Sequence, residues 1–172
     1  DEFTEPEIRR SNLSNVVLQL RSLGLSVEDF PFIQPPPRSA FRGAYKALFE
    51  LGALSSVERG ARETPFGAEM AHLPMDVALS AVLLRARNSG VLQPAIIVCS
   101  ALSIQDPRLF PSDEAQKEKA RRMHRSLGGH KSDFLTFLAE WNAFCREWNG
   151  TTWNALRKYC EKHFMHFLRC RE

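Results

Sequence analysis

The stretch SAFRGAYKALFELGALSSVERGARETPFG, residues 39–67, decides the fold. Phe41, Ala44, Tyr45, Leu48 and Leu51 recur three or four residues apart, which is one face of a helix. Ser39 is placed to cap its start and Gly52 to end it. Over residues 53–66 that period is lost. Short apolar pieces flank Ser55-Ser56 and a turn near Gly60, predicting a small β-hairpin that ends at Thr64-Pro65-Phe66-Gly67. Upstream, Leu13, Val16, Val17, Leu20 and Leu23 mark an earlier helix, with Ser11 or Asn12 as its N-cap and Gly24 as its C-cap. Between the two lies PFIQPPPRS (31–39), whose three consecutive prolines forbid helix and give a stiff, extended connector. Two helices followed by a short hairpin is the outline of a winged helix, which helix-turn-helix units share.

After Gly67 the pattern is helical throughout. MAHLPMD (70–76) predicts a short helix broken at Pro74, VALSAVLLRAR (77–87) a buried helix, and VLQPAIIVCSALS (91–103) another with Pro94 in its first turn. A charged helix with a narrow stripe at Ala120, Met123 and Leu127 follows the loop IQDPRLFPSD. The last two are expected to bury Phe134, Phe137, Leu138, Trp141, Phe144, Cys145 and Trp148, then Trp153, Leu156, Cys160, Phe164, Phe167 and Leu168. The expected fold is therefore mainly α: a winged-helix domain over 1–66, with a small β-hairpin wing, then a helical bundle over 67–172.

Composition limits the function classes. The 172 residues are 44% hydrophobic and 25% charged, which is globular rather than disordered. Twenty-three basic residues against 20 acidic ones give a formal charge of +3, too small to name a partner. No apolar run approaches the ~18 residues of a membrane-spanning helix, and DEFTEPEIRR has no apolar signal core. Cys99, Cys145, Cys160 and Cys170 form no C-x-x-C pair and no secretory signal is present, so they read as reduced thiols of a cytoplasmic protein, and the segment is expected to be a monomer. Both ends read as cuts within a longer chain.

Catalytic signals are missing. Neither G-x-x-x-x-G-K-[ST] nor G-x-G-x-x-G occurs, and no catalytic residue is assigned. Asp113-Glu114-Ala115-Gln116 opens a charged helix, where the macrodipole accounts for its acids. Cys160, His163, His166 and Cys170 span about 15 Å on a single helix, too far to share one zinc ion. Basic residues carry more. Lys158, Lys162 and Arg169 align opposite the apolar face of the last predicted helix, long enough to track several phosphates. Lys117, Lys119, Arg121, Arg122, Arg125 and Lys131 form a second cluster, partly offset by Glu114 and Glu118.

The strings also bear a family likeness. PEIRRSNLSNVVLQLRSLGL (6–25), PFIQPPP (31–37) and LFELGAL (48–54) resemble, in order, the winged-helix domain of DEAH-box RNA helicases. TPFGAEMAHLPMD (64–76) resembles the segment joining that domain to the helical ratchet, or helicase-associated, domain. SALSIQDPR (100–108), KSDFLTFLAEWN (131–142) and HFMHFLRCRE (163–172) are similar to ratchet segments of the bacterial HrpA type. Val77, Ala78, Ala68 and Glu63 depart from the family pattern.

The resemblance implies an accessory module of an ATP-dependent RNA helicase. It implies a partner strand, single-stranded RNA with DNA as the alternative, held by its backbone. Ser103, Gln105, Arg108, Lys131, Ser132 and Asn142 are the implied contacts, beside the Lys158, Lys162 and Arg169 stripe. RecA-like domains of the same polypeptide are the implied second partner. No cofactor is expected in this segment; ATP and magnesium belong to those domains. Two rivals remain open: a free-standing winged-helix regulator of duplex DNA using Arg38, Arg42, Lys46, Arg59 and Arg62, and a structural adaptor docking through PPPRS.

Overall fold

A computed structural model describes residues 13–27, 29–128 and 132–172. The N-cap candidates Ser11 and Asn12, and Lys131, lie outside the described residues. Packing divides the chain into two compact units, Asp1–Asn88 and Ser89–Glu172.

The first unit holds α1 (Leu13–Ser22), α2 (Arg38–Glu50), α3 (Pro65–Ala71) and α4 (Val77–Asn88). Its core joins Val17 and Leu18 of α1 to Tyr45 and Leu48 of α2, Met70 of α3 and Ala81 of α4. Ala44, Tyr45 and Leu48 are buried as their spacing predicts, whereas Leu23 lies past the end of α1 and is exposed. Ser39 caps nothing: α2 begins at Arg38, after Pro37, whose extended backbone ends the connector. Asn15 ties α1 to the start of α4 by accepting from the Val77 amide at 2.9 Å.

The expected wing does not form as a pair of strands. Among the described residues, residues 53–64 make one antiparallel bridge, Leu54 with Glu63, flanked by Ser55 N–H to Arg62 O and Thr64 N–H to Ala53 O. Thr64-Pro65 does not end a strand either. It opens α3: Thr64 Oγ1 accepts from the Gly67 amide at 2.9 Å and donates to Gly52 O at 2.6 Å, with Pro65 in the first turn. Gly67 is required there, because a Cβ would overlap the Ala53 carbonyl. Replacing Thr64 by Ala is expected to cost about 1 kcal/mol, read from urea unfolding. Because α3 and α4 place Met70, Val77, Ala81 and Leu84 in this core, the packing boundary falls after Asn88, beyond the 66/67 division read from the pattern.

The second unit holds α5 (Leu92–Ser103), α6 (Glu114–Leu127), α7 (Asp133–Trp148), α8 (Trp153–Lys162) and α9 (Phe167–Arg171). Side chains cap four of them, Asp113 on α6, Ser132 on α7, Thr152 on α8 and His166 on α9. Two expectations are corrected. The buried face of α7 is Phe137, Glu140, Ala143 and Phe144, so it carries a carboxylate, and Phe134, Trp141 and Trp148 are exposed. The last helix is broken: Phe164 adopts a left-handed backbone (φ 55), and Met165 pairs with Arg108 in a bridge. Trp153 and Leu168, expected to be buried, are exposed. A small core joins Phe144 to Leu156, Cys160 and Met165.

Candidate nucleic-acid interface

The loop after α5 is pinned to the turn between α8 and α9. Leu109 N–H donates to Phe164 O and His166 N–H to Pro107 O, both at 2.7 Å. His124 on α6 closes the same corner, its Nε2 donating to Phe164 O at 3.1 Å. Burial holds the His124 ring below its usual pKa, against the pull of that carbonyl, which favours the neutral imidazole.

Arg108 sits at the centre of this corner. Its side chain is 14% exposed. Nε and an Nη of its guanidinium donate to Asp106 at 3.0 and 2.9 Å, and the other Nη reaches Asp133 at 3.2 Å. The guanidinium also lies 4.7 Å from the Phe137 ring centroid. Hydrogen bonding to Asp106 holds the Arg108 pKa above its usual value. Burial raises Asp106, but the hydrogen bonds and charge of Arg108 outweigh it and leave that carboxyl below the ordinary range.

Arg108 forms one wall of a groove of about 380 Å³. Arg121 and Arg125, one turn apart on α6, reach into it, with Ser132 and Thr136 from the first turn of α7. Arg121 and Arg125 are half exposed and share Glu118, at 3.7 and 3.0 Å. Exposed pairs of this kind contribute only about 0–1 kcal/mol, so an incoming phosphate can replace Glu118. Ser132 Oγ accepts from the Phe134 amide at 3.2 Å, and among the described residues its hydroxyl proton has no acceptor and can serve a ligand.

The residues expected to touch a strand are therefore divided. Arg108 and Ser132 meet in the groove. Ser103 and Arg169 line a separate, mostly apolar cavity of about 350 Å³. Ser103 Oγ donates to Ser100 O, and Arg169 donates to Asp106 O at 2.8 Å. Asn142 is exposed beside Arg146 and Trp148, and Gln105 is exposed in the loop. Lys158 and Lys162 are exposed on α8, but the break at Phe164 takes Arg169 off their helix, so no three-residue stripe exists. His163 Nδ1 is 2.8 Å from Tyr159 O and His166 caps α9, so each imidazole already has a local role. Among the described residues, no three His, Cys, Asp or Glu side chains converge as metal ligands.

Sequence reasoning noted Arg121 and Arg125 only as members of a charge cluster. Their i,i+4 spacing was the available signal that both share one face. It missed Glu140 altogether. That side chain is 2% exposed, and neither carboxylate oxygen has a hydrogen-bond partner among the described residues. Burial pushes its carboxyl up to about 7; Arg108 pulls it down, while Asp106 and Asp133 push it further up.

Comparison with known proteins gives these features a setting. The family described as helicase-associated domain (HA2), ratchet-like, matches residues 76–137, which include all of the groove. Over 176 aligned residues the chain is 39% identical to ATP-dependent RNA helicase HrpA of Escherichia coli, covering 99% of this chain and 13% of that protein. It is 40% identical, with the same coverage, to the HrpA homolog of Haemophilus influenzae. The chain is a segment of the HrpA type of DEAH-box helicase, with residues 76–137 as its ratchet-like, helicase-associated part. The likeness extends to the probable ATP-dependent RNA helicase DHX35 of Homo sapiens, 33% identical over 95% of this chain. The chain spans less than a quarter of the length of these curated relatives. The family match begins at residue 76, so α4 belongs to it by sequence while packing on the first core. No helix among the described residues is long and apolar enough to cross a membrane.

Proposed function

We propose that the ratchet-like segment guides single-stranded RNA by its backbone, as the accessory module of a cytoplasmic RNA helicase. The observation that carries this reading is the meeting of Arg121 and Arg125 with the Ser132 hydroxyl in one groove walled by Arg108. Arginine forks fit phosphate oxygens bidentately, and the start of α7 adds a helix N-terminus. Such contacts fix the path of a strand and carry little base information. Single-stranded DNA is therefore a competitor rather than an excluded partner. ATP and magnesium, together with the RecA-like partner domains, are proposed to lie outside this segment.

The rival duplex-DNA regulator has less support, because its wing would be the loop with the single Leu54–Glu63 bridge.

Titration of the chain with a single-stranded RNA at about 50 and about 200 mM salt tests the proposal. Two phosphates neutralised by Arg121 and Arg125 give a log–log slope of about −1.4. The double variant R121E/R125E is expected to weaken binding by roughly tenfold or more and to flatten that slope. Salt-independent binding, or an unaffected double variant, overturns the reading.

A further inference from the structure

The second unit carries an aromatic ladder that the groove does not use. Phe144, buried, packs edge-on against Trp148 at 5.6 Å between centroids; Trp148 lies 5.4 Å from Trp153, and Trp153 6.2 Å from Phe167. Phe144 anchors one end in the core. The two tryptophans above it are open, Trp148 at 39% and Trp153 at 51% exposed, while Phe167 is half-buried against that core. Tryptophans turned to solvent over this length are not needed to fill the small core beneath them.

Two arginines lie on these rings. The Arg171 guanidinium is 4.5 Å from the Trp153 centroid and 5.6 Å from Phe167, and Arg157 is 5.4 Å from Phe167. Both are exposed, and among the described residues neither is paired with a carboxylate. The surrounding sequence has a marked excess of one sign: residues 153–172 contain five Lys or Arg and two Glu. Flat aromatic faces interleaved with unpaired cations match a single nucleic-acid strand, whose bases offer π-faces and whose phosphates are anionic. A wholly apolar protein surface would leave those guanidiniums unpaired, so charge complementarity favours the strand.

We infer that Trp148, Trp153 and Phe167, with Arg157 and Arg171, form a stacking platform for unpaired nucleobases. This inference rests on the proposed guiding of RNA and adds a contact of a different chemistry. The groove takes phosphates; the platform takes bases, without reading their hydrogen-bonding edges. Binding then depends on the presence of bases more than on their identity, with purines held more tightly than pyrimidines through their larger faces.

The test compares a single-stranded RNA with an abasic ribose-phosphate strand of equal length and charge, both titrated against the full 172-residue chain. Stacking makes the RNA bind about tenfold more tightly than the abasic strand, with quenching of tryptophan fluorescence on RNA alone. Trp153→Ala removes most of that difference and leaves abasic binding unchanged. Trp153→Tyr, which keeps a ring, restores it; circular dichroism confirms that each variant is folded. Equal binding of the two strands, or an RNA affinity untouched by Trp153→Ala, overturns the platform and leaves the groove reading standing. Failure of the chain to bind either strand overturns both. Loss of abasic binding in R121E/R125E while the base-dependent increment persists separates the two sites.

Discussion

Replacing Glu140 with Gln stabilises the second unit by about 3 kcal/mol near pH 8 and by almost nothing near pH 4. The carboxyl is 2% exposed and unpartnered, and burial pushes it from an ordinary 4.5 up to about 7. Between those two values the folded chain keeps a proton that the unfolded chain has released. Unfolding therefore loses a proton, and the contribution of Glu140 to stability falls as pH rises through this window, then stays low above it. Each pKa unit is worth about 1.4 kcal/mol, which sets the size of the effect. Gln keeps the shape and never ionises, so it removes the penalty at high pH.

His124 runs the opposite way. Its lowered pKa destabilises the fold as pH falls below the ordinary imidazole value, so the raw pH profile of the protein mixes both groups. The difference between wild type and E140Q isolates the carboxyl. Urea unfolding at a series of pH values measures it. A difference that stays flat from acid to alkaline pH would show that Glu140 finds a partner, and the account given for its burial would be wrong.

The same side chain shows where sequence reading reaches its limit. Phe137, Phe144 and Trp148 alternate at helical spacing, and a face drawn through them includes Trp141 and Trp148. Packing instead turns the helix toward Glu140 and Ala143. Periodicity locates a helix and an approximate face, but a stripe of aromatics flanked by a carboxylate fits two rotations, and only the neighbouring helices choose between them. The face of α2 was legible because Ala44, Tyr45 and Leu48 share one arc of the helix and Lys46, the polar residue between them, falls outside it and is exposed. Thr64-Pro65 misled for a local reason. The pair suits a turn and also suits an N-cap followed by a first-turn proline, and the Gly67 amide decides for the second.

The break at Phe164 had no signal at all. Helix ends in left-handed geometry usually show Gly or Asn, whereas here an aromatic residue takes that conformation. The reason lies 55 residues away in sequence, where Leu109 donates to the Phe164 carbonyl. Arg108 and Ser132 were both legible as polar residues beside helix ends. Their meeting across α6 and α7 was not, since no local pattern encodes it.

Arg108→Met is expected to cost about 3 kcal/mol, the low end for breaking a buried ion pair because Asp106 keeps access to water. The guanidinium holds Asp106 with two of its nitrogens, spans to Asp133 and covers the Phe137 ring, so it fastens the loop to α7. Met replaces the stem but none of these bonds. The pH dependence identifies the mechanism. Asp106 has a lowered carboxyl, so the pair's contribution is fully present above the ordinary carboxylate value and is lost as pH falls below it and through the lowered one. The cost of Arg108→Met should accordingly shrink in acid. Glu140 supplies a second signature, because Arg108 is the cation that eases its charge. Without that cation the ionised carboxylate is less tolerable, so E140Q stabilises the Arg108→Met background more than it stabilises wild type. Additive effects in the double-mutant cycle would refute the coupling. RNA affinity, measured where the variant is still folded, then separates clamp from contact. A clamp predicts a smaller loss of binding for Arg108→Met than for R121E/R125E, and a direct phosphate contact predicts a loss at least as large.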